Sequence, residues 1–582
     1  MYKPASANHL KGCHSRRQLM VAVIAAVFTN AALAADPPVN TDPGAQEIIR
    51  QQERERLLRQ QQETTPDVRL ERPQEIDERI PDGESPCFTI QRIELTGADA
   101  RRFQWALGAA EREDDPVIGR CLGGGGINLV MRRIQNVIVA RGYVTTRILA
   151  EPQDLKSGTL RLTVIPGRIR NIRFEDGGDV RGTKWNAVPA SPGDLLSLRD
   201  IEQGLENFKR VPTADADIQI TPAEGEGALP GESDLVIKYR QEFPFRLTAT
   251  LDDGGSKATG KYQAGLTFSF DNMLTLNDLF YFSANQNIST TDPGSKGTAG
   301  HTVHYSLPFG YWSLGFTASS NRYHQKVAGA NQSYIYRGTS DNSEIRLTRL
   351  LYRDGTRKTS GWLRGWMRSS NNYIDDTEIE VQRRRMAGGE VGISHREFLS
   401  SGSLDVNLAY RWGTGAMGSL PAPEEKFGEG TSRPRLVTAD TQFNWQFAVG
   451  QQKLRYTGVL RGQWNDTPLV PQDRFSIGGR YTVRGFDGES VLSAERGLLI
   501  RNDLGMPLGA SGQEIYLGAD YGEVDGPSST YLVGKYLVGA VVGLRGGYRN
   551  VSYDVFVGQP IKRPEHFKTA STTAGFFLSL QF

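Results

Sequence analysis

Cys87 and Cys121 are the residues best placed by type to make a covalent bond with each other. The third cysteine, Cys13, lies in a leader segment and leaves with it. An even pair in an oxidising compartment reads as one disulfide. Closing a loop of that length adds about 4 kcal/mol in the chain-entropy description. No Cys-x-x-Cys and no Cys/His spacing of the zinc-ligand kind occurs, so no metal is expected. His301 and His304 would face opposite sides of a strand, which makes them poor shared ligands. Gly123 to Gly126 is a glycine run, but it lacks the Lys-Ser or Lys-Thr and the leading strand of a phosphate loop. It reads as a loop before a helix that starts at 127. No Gly-x-Ser-x-Gly elbow is present. Neither an enzyme nor a cofactor is expected.

The elements around these residues point to a membrane. Lys3, Lys11, Arg16 and Arg17 form a basic start, and Leu19 to Phe28 is an apolar stretch. Ala32-Leu33-Ala34 is a small-residue cleavage site, so residues 1–34 read as a secretory signal peptide. The apolar stretch is too short for an anchor, which needs roughly 20 residues. No later run is long and apolar enough for a transmembrane helix. A closed barrel is the other fold that satisfies every backbone group in lipid. The 65 glycines and 9% aromatic content suit such a barrel. The 68 basic and 66 acidic residues leave no basic excess, so no nucleic-acid partner is expected.

The fold class expected is mostly β: a transmembrane antiparallel β-barrel of about 16 strands, preceded by a helix and two α/β units. Within the stretch 35–63, Asp42 suits an N-cap and Pro43 a first helical residue, and a helix fits 43–63. Glu47–Arg50, Glu53–Arg56 and Glu55–Arg59 sit at helical spacing. So polar a helix belongs neither in a dry core nor in lipid. It suits a water-filled lumen or the open periplasm, and the residues alone leave both open. Residues 64–86, with Pro66, Pro73, Pro81 and Pro86, read as an extended linker. Residues 87–166 form one α/β unit, with Ile127, Val130, Ile134, Val137 and Ile138 as a helical stripe, Gly142 as its stop, and a strand over Tyr143 to Leu149. Residues 167–244 repeat the plan, with Leu198, Ile201, Leu205 and Phe208 on one helix face. Residues 245–582 change to segments of roughly 8–10 residues of alternating character, which is the barrel signal. The last one alternates Phe576, Leu578, Leu580 and Phe582 with more polar positions. It reads as a lipid-facing strand and a C-terminal barrel-assembly signal.

Several stretches together resemble a known family. Cys87-Phe88-Thr89-Ile90 and Arg141-Gly142-Tyr143-Val144-Thr145-Thr146-Arg147 are similar to its first POTRA domain. The stretch from Leu198 to Asn207 and Gly231-Glu232-Ser233-Asp234-Leu235 are similar to its second. Thr259-Gly260, Phe270-Asp271-Asn272 and Leu307-Pro308-Phe309-Gly310-Tyr311 look like its early barrel motifs. Phe475-Ser476-Ile477-Gly478-Gly479-Arg480 followed by Val483-Arg484-Gly485-Phe486 is the most specific match. The chain is therefore similar, over nearly its whole mature length, to the TpsB transporters of two-partner secretion, the haemolysin and haemagglutinin secretion/activation proteins. The resemblance implies that Val483, Arg484, Gly485 and Phe486 sit on a long extracellular loop folded back into the lumen. It further implies that Arg484 pairs with a wall aspartate, here Asp520 in Gly518-Ala519-Asp520-Tyr521-Gly522. It also implies that the helix at 43–63 plugs the barrel and leaves during export.

The function this implies is export of a large exoprotein of haemolysin, adhesin or contact-dependent inhibition toxin type. The POTRA domains would recognise it in the periplasm, and the barrel would pass it to the cell surface. Expected partners are that TpsA-type exoprotein, outer-membrane lipid and the barrel-assembly machinery during biogenesis, with the chain itself a monomer. The barrel would lie in the bacterial outer membrane and the N-terminal domains in the periplasm. The alternative is a factor that assembles other outer-membrane barrels. A passive porin is a further rival, but it would not need two soluble modules.

Overall fold

The computed structural model describes residues 43–63, 66–70, 78–177, 181–288 and 294–582. The signal peptide at 1–34, its Cys13, and Asp42 lie outside the described residues, as do linker residues 64–65 and 71–77.

Helix α1 runs over Pro43–Gln62. The first α/β unit has a three-stranded sheet in the order Arg92–Gly97, Thr159–Ile165, Arg147–Leu149, with the outer pairings parallel and antiparallel respectively. Helix α2, Gly124–Ala140, covers it with Leu129, Val130, Ile134 and Ile138 buried. The Cys87 and Cys121 sulfurs are 2.00 Å apart, and the strand pair Phe88–Thr89 and Cys121–Leu122 starts at the bridge. The second unit has the order Arg168–Phe174, Glu232–Gln241, Ala214–Pro222 under helix α3, Leu198–Phe208.

Two expectations here need correction. Helix α2 begins at Gly124, not 127, so most of the glycine run is its first turn. The Glu84 carboxylate accepts hydrogen bonds from the Gly123, Gly125 and Gly126 N–H groups at 2.8, 2.7 and 3.0 Å. An anion therefore satisfies the orphan donors at this helix end, as in a phosphate loop, but it is the chain's own. These three bonds hold the Glu84 carboxyl below its usual range, against the opposing effect of desolvation. The strand expected over Tyr143 to Leu149 shrinks to Arg147–Leu149. Tyr143 instead donates its N–H to Ile138 O to close the helix, with Gly142 at φ +105°, and Thr146 turns back onto Tyr143.

Among the described residues, sixteen long strands close one antiparallel barrel, with Thr377–Glu378 a short extension of one hairpin. The last strand, Thr573–Gln581, pairs with the first, Phe245–Asp252. Several strands far exceed the expected 8–10 residues, up to Ser333–Arg353 with 21. At about 3.3 Å per residue such a strand is roughly twice the thickness of a bilayer's hydrocarbon core, so its hairpin stands clear of the lipid. Alternation sets the two faces. Leu347 and Leu363 are exposed and paired outward, as are Ile393 and Leu408. Ser269, Thr302, Thr317 and Ser319 are buried on the inner face.

Candidate functional site in the barrel lumen

Residues 466–495, between the strands Gln452–Asn465 and Arg496–Pro507, fold back inside the barrel. A short pair, Phe475–Ile477 with Leu492–Ala494, stiffens the loop. Val483 and Phe486 are buried with Ile477, Leu492, Leu499, Val524, Leu537 and Phe567 in an apolar cluster against the wall. Between them Arg484 grips Asp520: its backbone N–H donates to Oδ2 at 2.9 Å, Nε to Oδ2 at 2.8 Å and Nη2 to Oδ1 at 2.8 Å. This is the fork geometry that only arginine offers a carboxylate. Nη2 also donates to Asp503 at 2.5 Å, and Arg545 donates to the other oxygen of Asp503 at 3.0 Å. The buried Asp520 and Arg484 and the half-buried Asp503 and Arg545 thus neutralise one another on the wall.

Glycines let the loop lie so close. Gly485 has φ +94°, and a side chain there would strike the Gln559 backbone. Opposite Asp520 on the next strand, Gly539 leaves no room for a Cβ beneath the Arg484 carbonyl. At Gly522 a Cβ would lie 2.6 Å from Val483. The sequence reading named Gly522; it missed Gly539 and Asp503.

Helix α1 runs through the lumen beside the loop. Gly44 lies against the Tyr323 and Tyr336 hydroxyls toward the extracellular end, and Gln62 accepts from Ser269 at 3.1 Å toward the periplasmic end. Twenty residues at about 1.5 Å each cover roughly 30 Å, the thickness of the membrane core. Most of the helix charges meet the wall. Arg461 holds Glu53 with two donors at 2.7 and 3.2 Å. Arg59 donates to Glu344 at 2.5 Å, and Asn321 donates to Glu55 at 3.1 Å. The expected intrahelical pairs survive at Glu47–Arg50, 3.5 Å, and Glu53–Arg56, 3.8 Å, but no Glu55–Arg59 pair forms among the described contacts. Arg50 also donates to the Gly488 carbonyl at 2.6 Å, so helix and loop touch. A cavity of 1290 Å³ remains beside them, lined by residues such as Arg346, Arg364, Arg411 and Asp440.

The family model described as haemolysin secretion/activation protein ShlB/FhaC/HecB matches residues 231–546, more than half of the chain. The chain belongs to that family. A POTRA model of ShlB type matches residues 88–167, and a second POTRA model matches 168–222. The chain is 36% identical to the outer membrane transporter CdiB-2 of Burkholderia pseudomallei strain 1026b, over 96% of this chain and 98% of that one. It is 29% identical to the outer membrane transporter CdiB of Dickeya dadantii strain 3937, covering 86% and 87% of the two chains. Among solved structures, CdiB from Acinetobacter baumannii superposes with a TM-score of 0.80 at 28% identity, over 94% of this chain and all of that chain. This family member is therefore a two-partner secretion transporter of the outer membrane, with its POTRA domains in the periplasm.

The second POTRA domain of this ShlB-family chain is knitted to the barrel. Arg353, at a periplasmic turn, donates to Glu202 and Glu206 of α3, each at 2.9 Å, and Lys358 donates to Glu206 at 2.5 Å. Burial pushes the Glu206 carboxyl up, but Lys358 and Arg353 outweigh it and hold the group below its usual range. Linker residues 66–70 dock here rather than running free. The Val68 and Leu70 N–H groups donate to Glu206 and Glu202 at 3.2 and 2.9 Å. Further on, Ile80 enters the core of the first domain. At the other end of the chain, Leu578 and Phe582 are exposed, and Phe582 exchanges two backbone bonds with Leu247 as the barrel closes. His304 points inward and is buried, donating to or accepting from Thr317 at 2.9 Å, while His301 packs outward beside Phe282.

Proposed function

We propose that the exported chain passes through the lumen now filled by α1, and that α1 is a plug which leaves its seat during export. The observation that carries this is how α1 is held. Its fixed contacts with the wall are mainly side-chain ion pairs and hydrogen bonds, such as Arg461–Glu53, Arg59–Glu344 and Asn321–Glu55. Arg461, Glu53, Arg59 and Glu344 all line the lumen cavity, so water can replace these pairs on departure. Of its large apolar residues only Ile48 is fully buried, so leaving uncovers little oily surface. The lumen loop is the complementary part, anchored by a buried charge cluster and an apolar core. Arg484 and Asp520 set the height of that loop in the lumen, and the loop in turn contacts the helix.

The partner is a large exoprotein held unfolded in the periplasm. The names of the relatives favour the contact-dependent inhibition class. An extended segment adding to a POTRA sheet edge is the natural mode of capture. The chain acts as a monomer, with its outer face in lipid and its last strand read by the barrel-assembly machinery during biogenesis.

Cysteines placed by Glu53→Cys and Arg461→Cys, joined by a short bismaleimide in the folded protein, test the plug. Export stops on cross-linking and proceeds in the same variant left unjoined. Equal export in both states would remove the plug from the account.

A further inference from the structure

Trp185 is 64% exposed on the short helix Lys184–Ala187 of the second POTRA domain. Its neighbours are bolted to the barrel. Asn186 Nδ2 donates to Leu276 O at 2.6 Å, and the Gly310 N–H donates to Asn186 O at 2.7 Å. The Thr183 hydroxyl donates to the Thr275 carbonyl, and Asn277 Nδ2 donates to Thr183 O at 2.8 Å. The short helix that carries the indole is thus fixed to the barrel turns, and the indole lies outside the core.

That place continues the barrel's outer face. The indole meets Phe309 edge to face, with centroids 5.6 Å apart. Phe309 is itself 55% exposed and pairs with Trp312 across the periplasmic turn. The next rungs upward on the same face are Leu307–Leu314 and Tyr305–Phe316, with Leu314 and Phe316 exposed. Trp185 therefore adds one rung to the apolar column below the last strand residues. The same happens where the chain enters the barrel. Phe243 is 75% exposed, and its ring lies 5.3 Å from Phe245 on the first strand, which stacks on Phe268 at 5.5 Å. The two aromatics stand below the first and fourth strands, about 14 Å apart at three strand spacings.

We propose that the second POTRA domain rests on the periplasmic leaflet of the outer membrane through two aromatic feet, Trp185 and Phe243, inserted at the boundary of headgroups and acyl chains. The occupant of this surface is phospholipid, because the surface is continuous with the barrel's lipid-facing face. Tryptophan suits the boundary, since its ring is apolar and its N–H finds polar partners among headgroups. Two separated feet, together with the bonds to the barrel turns, fix the orientation of the domain, which keeps α3 and its acids under the barrel mouth.

The test uses the full chain in phospholipid nanodiscs. The chain has eight tryptophans, so the Trp185 signal is read as the difference between wild type and Trp185→Phe. That difference emission is expected to be blue-shifted, lost to phosphatidylcholine brominated near the headgroup, and resistant to aqueous iodide. Quenching by iodide instead would place the indole in water and overturn the proposal. Resistance to both quenchers would mean that protein, such as a second copy, covers it, and would overturn it equally. Phe243→Trp in the Trp185→Phe background should regain the lipid-quenched signal; its failure to do so would remove the second foot and the two-point support.

Discussion

Arg484 does most of its work through geometry. It satisfies the buried Asp520 in three bonds and shares the half-buried Asp503 with Arg545. Removing Arg484 leaves the buried Asp520 with only Arg501, at 3.9 Å, while Asp503 keeps Arg545; losing the main partner of a buried charge costs about 3–5 kcal/mol. Arg484→Ala should therefore release the loop while the strands stay closed. Protease cleavage within 466–495 of a folded barrel measures this, and unchanged protection would contradict it. Arg484→Lys keeps the charge but loses the fork, so it should fall between the two. Arg484 and Asp520 were legible because a rare four-residue motif marks the first and a short wall motif the second. Asp503 and Gly539 were not, because their value comes from strand register, and one sequence does not print register. A weaker signal was present: Arg501 and Asp503 alternate on an apolar strand, the mark of a lumen face.

At the scale of elements, the joint between α3 and the barrel has its own pH dependence. Burial pushes the Asp200 carboxyl up to about 6, helped by nearby Asp194 and opposed by the hydrogen bond from Tyr311. A carboxyl raised on folding contributes stability when protonated. That contribution is complete below the unfolded value of about 4 and is lost as pH rises through about 6. Asp200 should accordingly loosen the joint between pH 4 and pH 6 on the way up, against the tightening that the depressed Glu206 gives as it ionises, so its part is the difference between wild type and Asp200→Asn, neutral at every pH. Hydrogen exchange in α3 and the turn at Gly310, corrected for intrinsic rates, reads it; the same slope in the variant would refute it. The helical stripes of α2 and α3 were readable because burial on one face imposes a 3.6-residue period. The start of α2 was misread because its cap, Glu84, comes from the linker and not from the residue before the helix. Strand lengths were underread for a related reason. Alternation is strong in the lipid band and fades where hairpins stand in water, although the ladder continues.

For the whole molecule, the polar helix was the hardest element to place. Its charges looked like intrahelical pairs, and nothing within 43–63 says that Arg461, Glu344 and Asp440 wait on the wall. Those residues lie hundreds of positions away, and only the closed barrel brings them round the helix. The result is one assembly with three fits of different strength. The second POTRA domain is knitted to the periplasmic turns, the loop is locked by a charge cluster centred on the buried Arg484–Asp520 pair and by an apolar core, and the helix is seated by ion pairs that line the lumen cavity. The helix, with one fully buried large apolar residue, fills the lumen through which the exported chain is proposed to pass.

The most direct test is secretion itself. The full chain and a TpsA-type exoprotein from the same genome are expressed together, and the exoprotein is followed in the medium and on the cell surface. Arg484→Ala runs in parallel, with barrel insertion checked. The account predicts export that requires this chain and fails in Arg484→Ala despite an inserted barrel. Equal release of the exoprotein without this chain would contradict it.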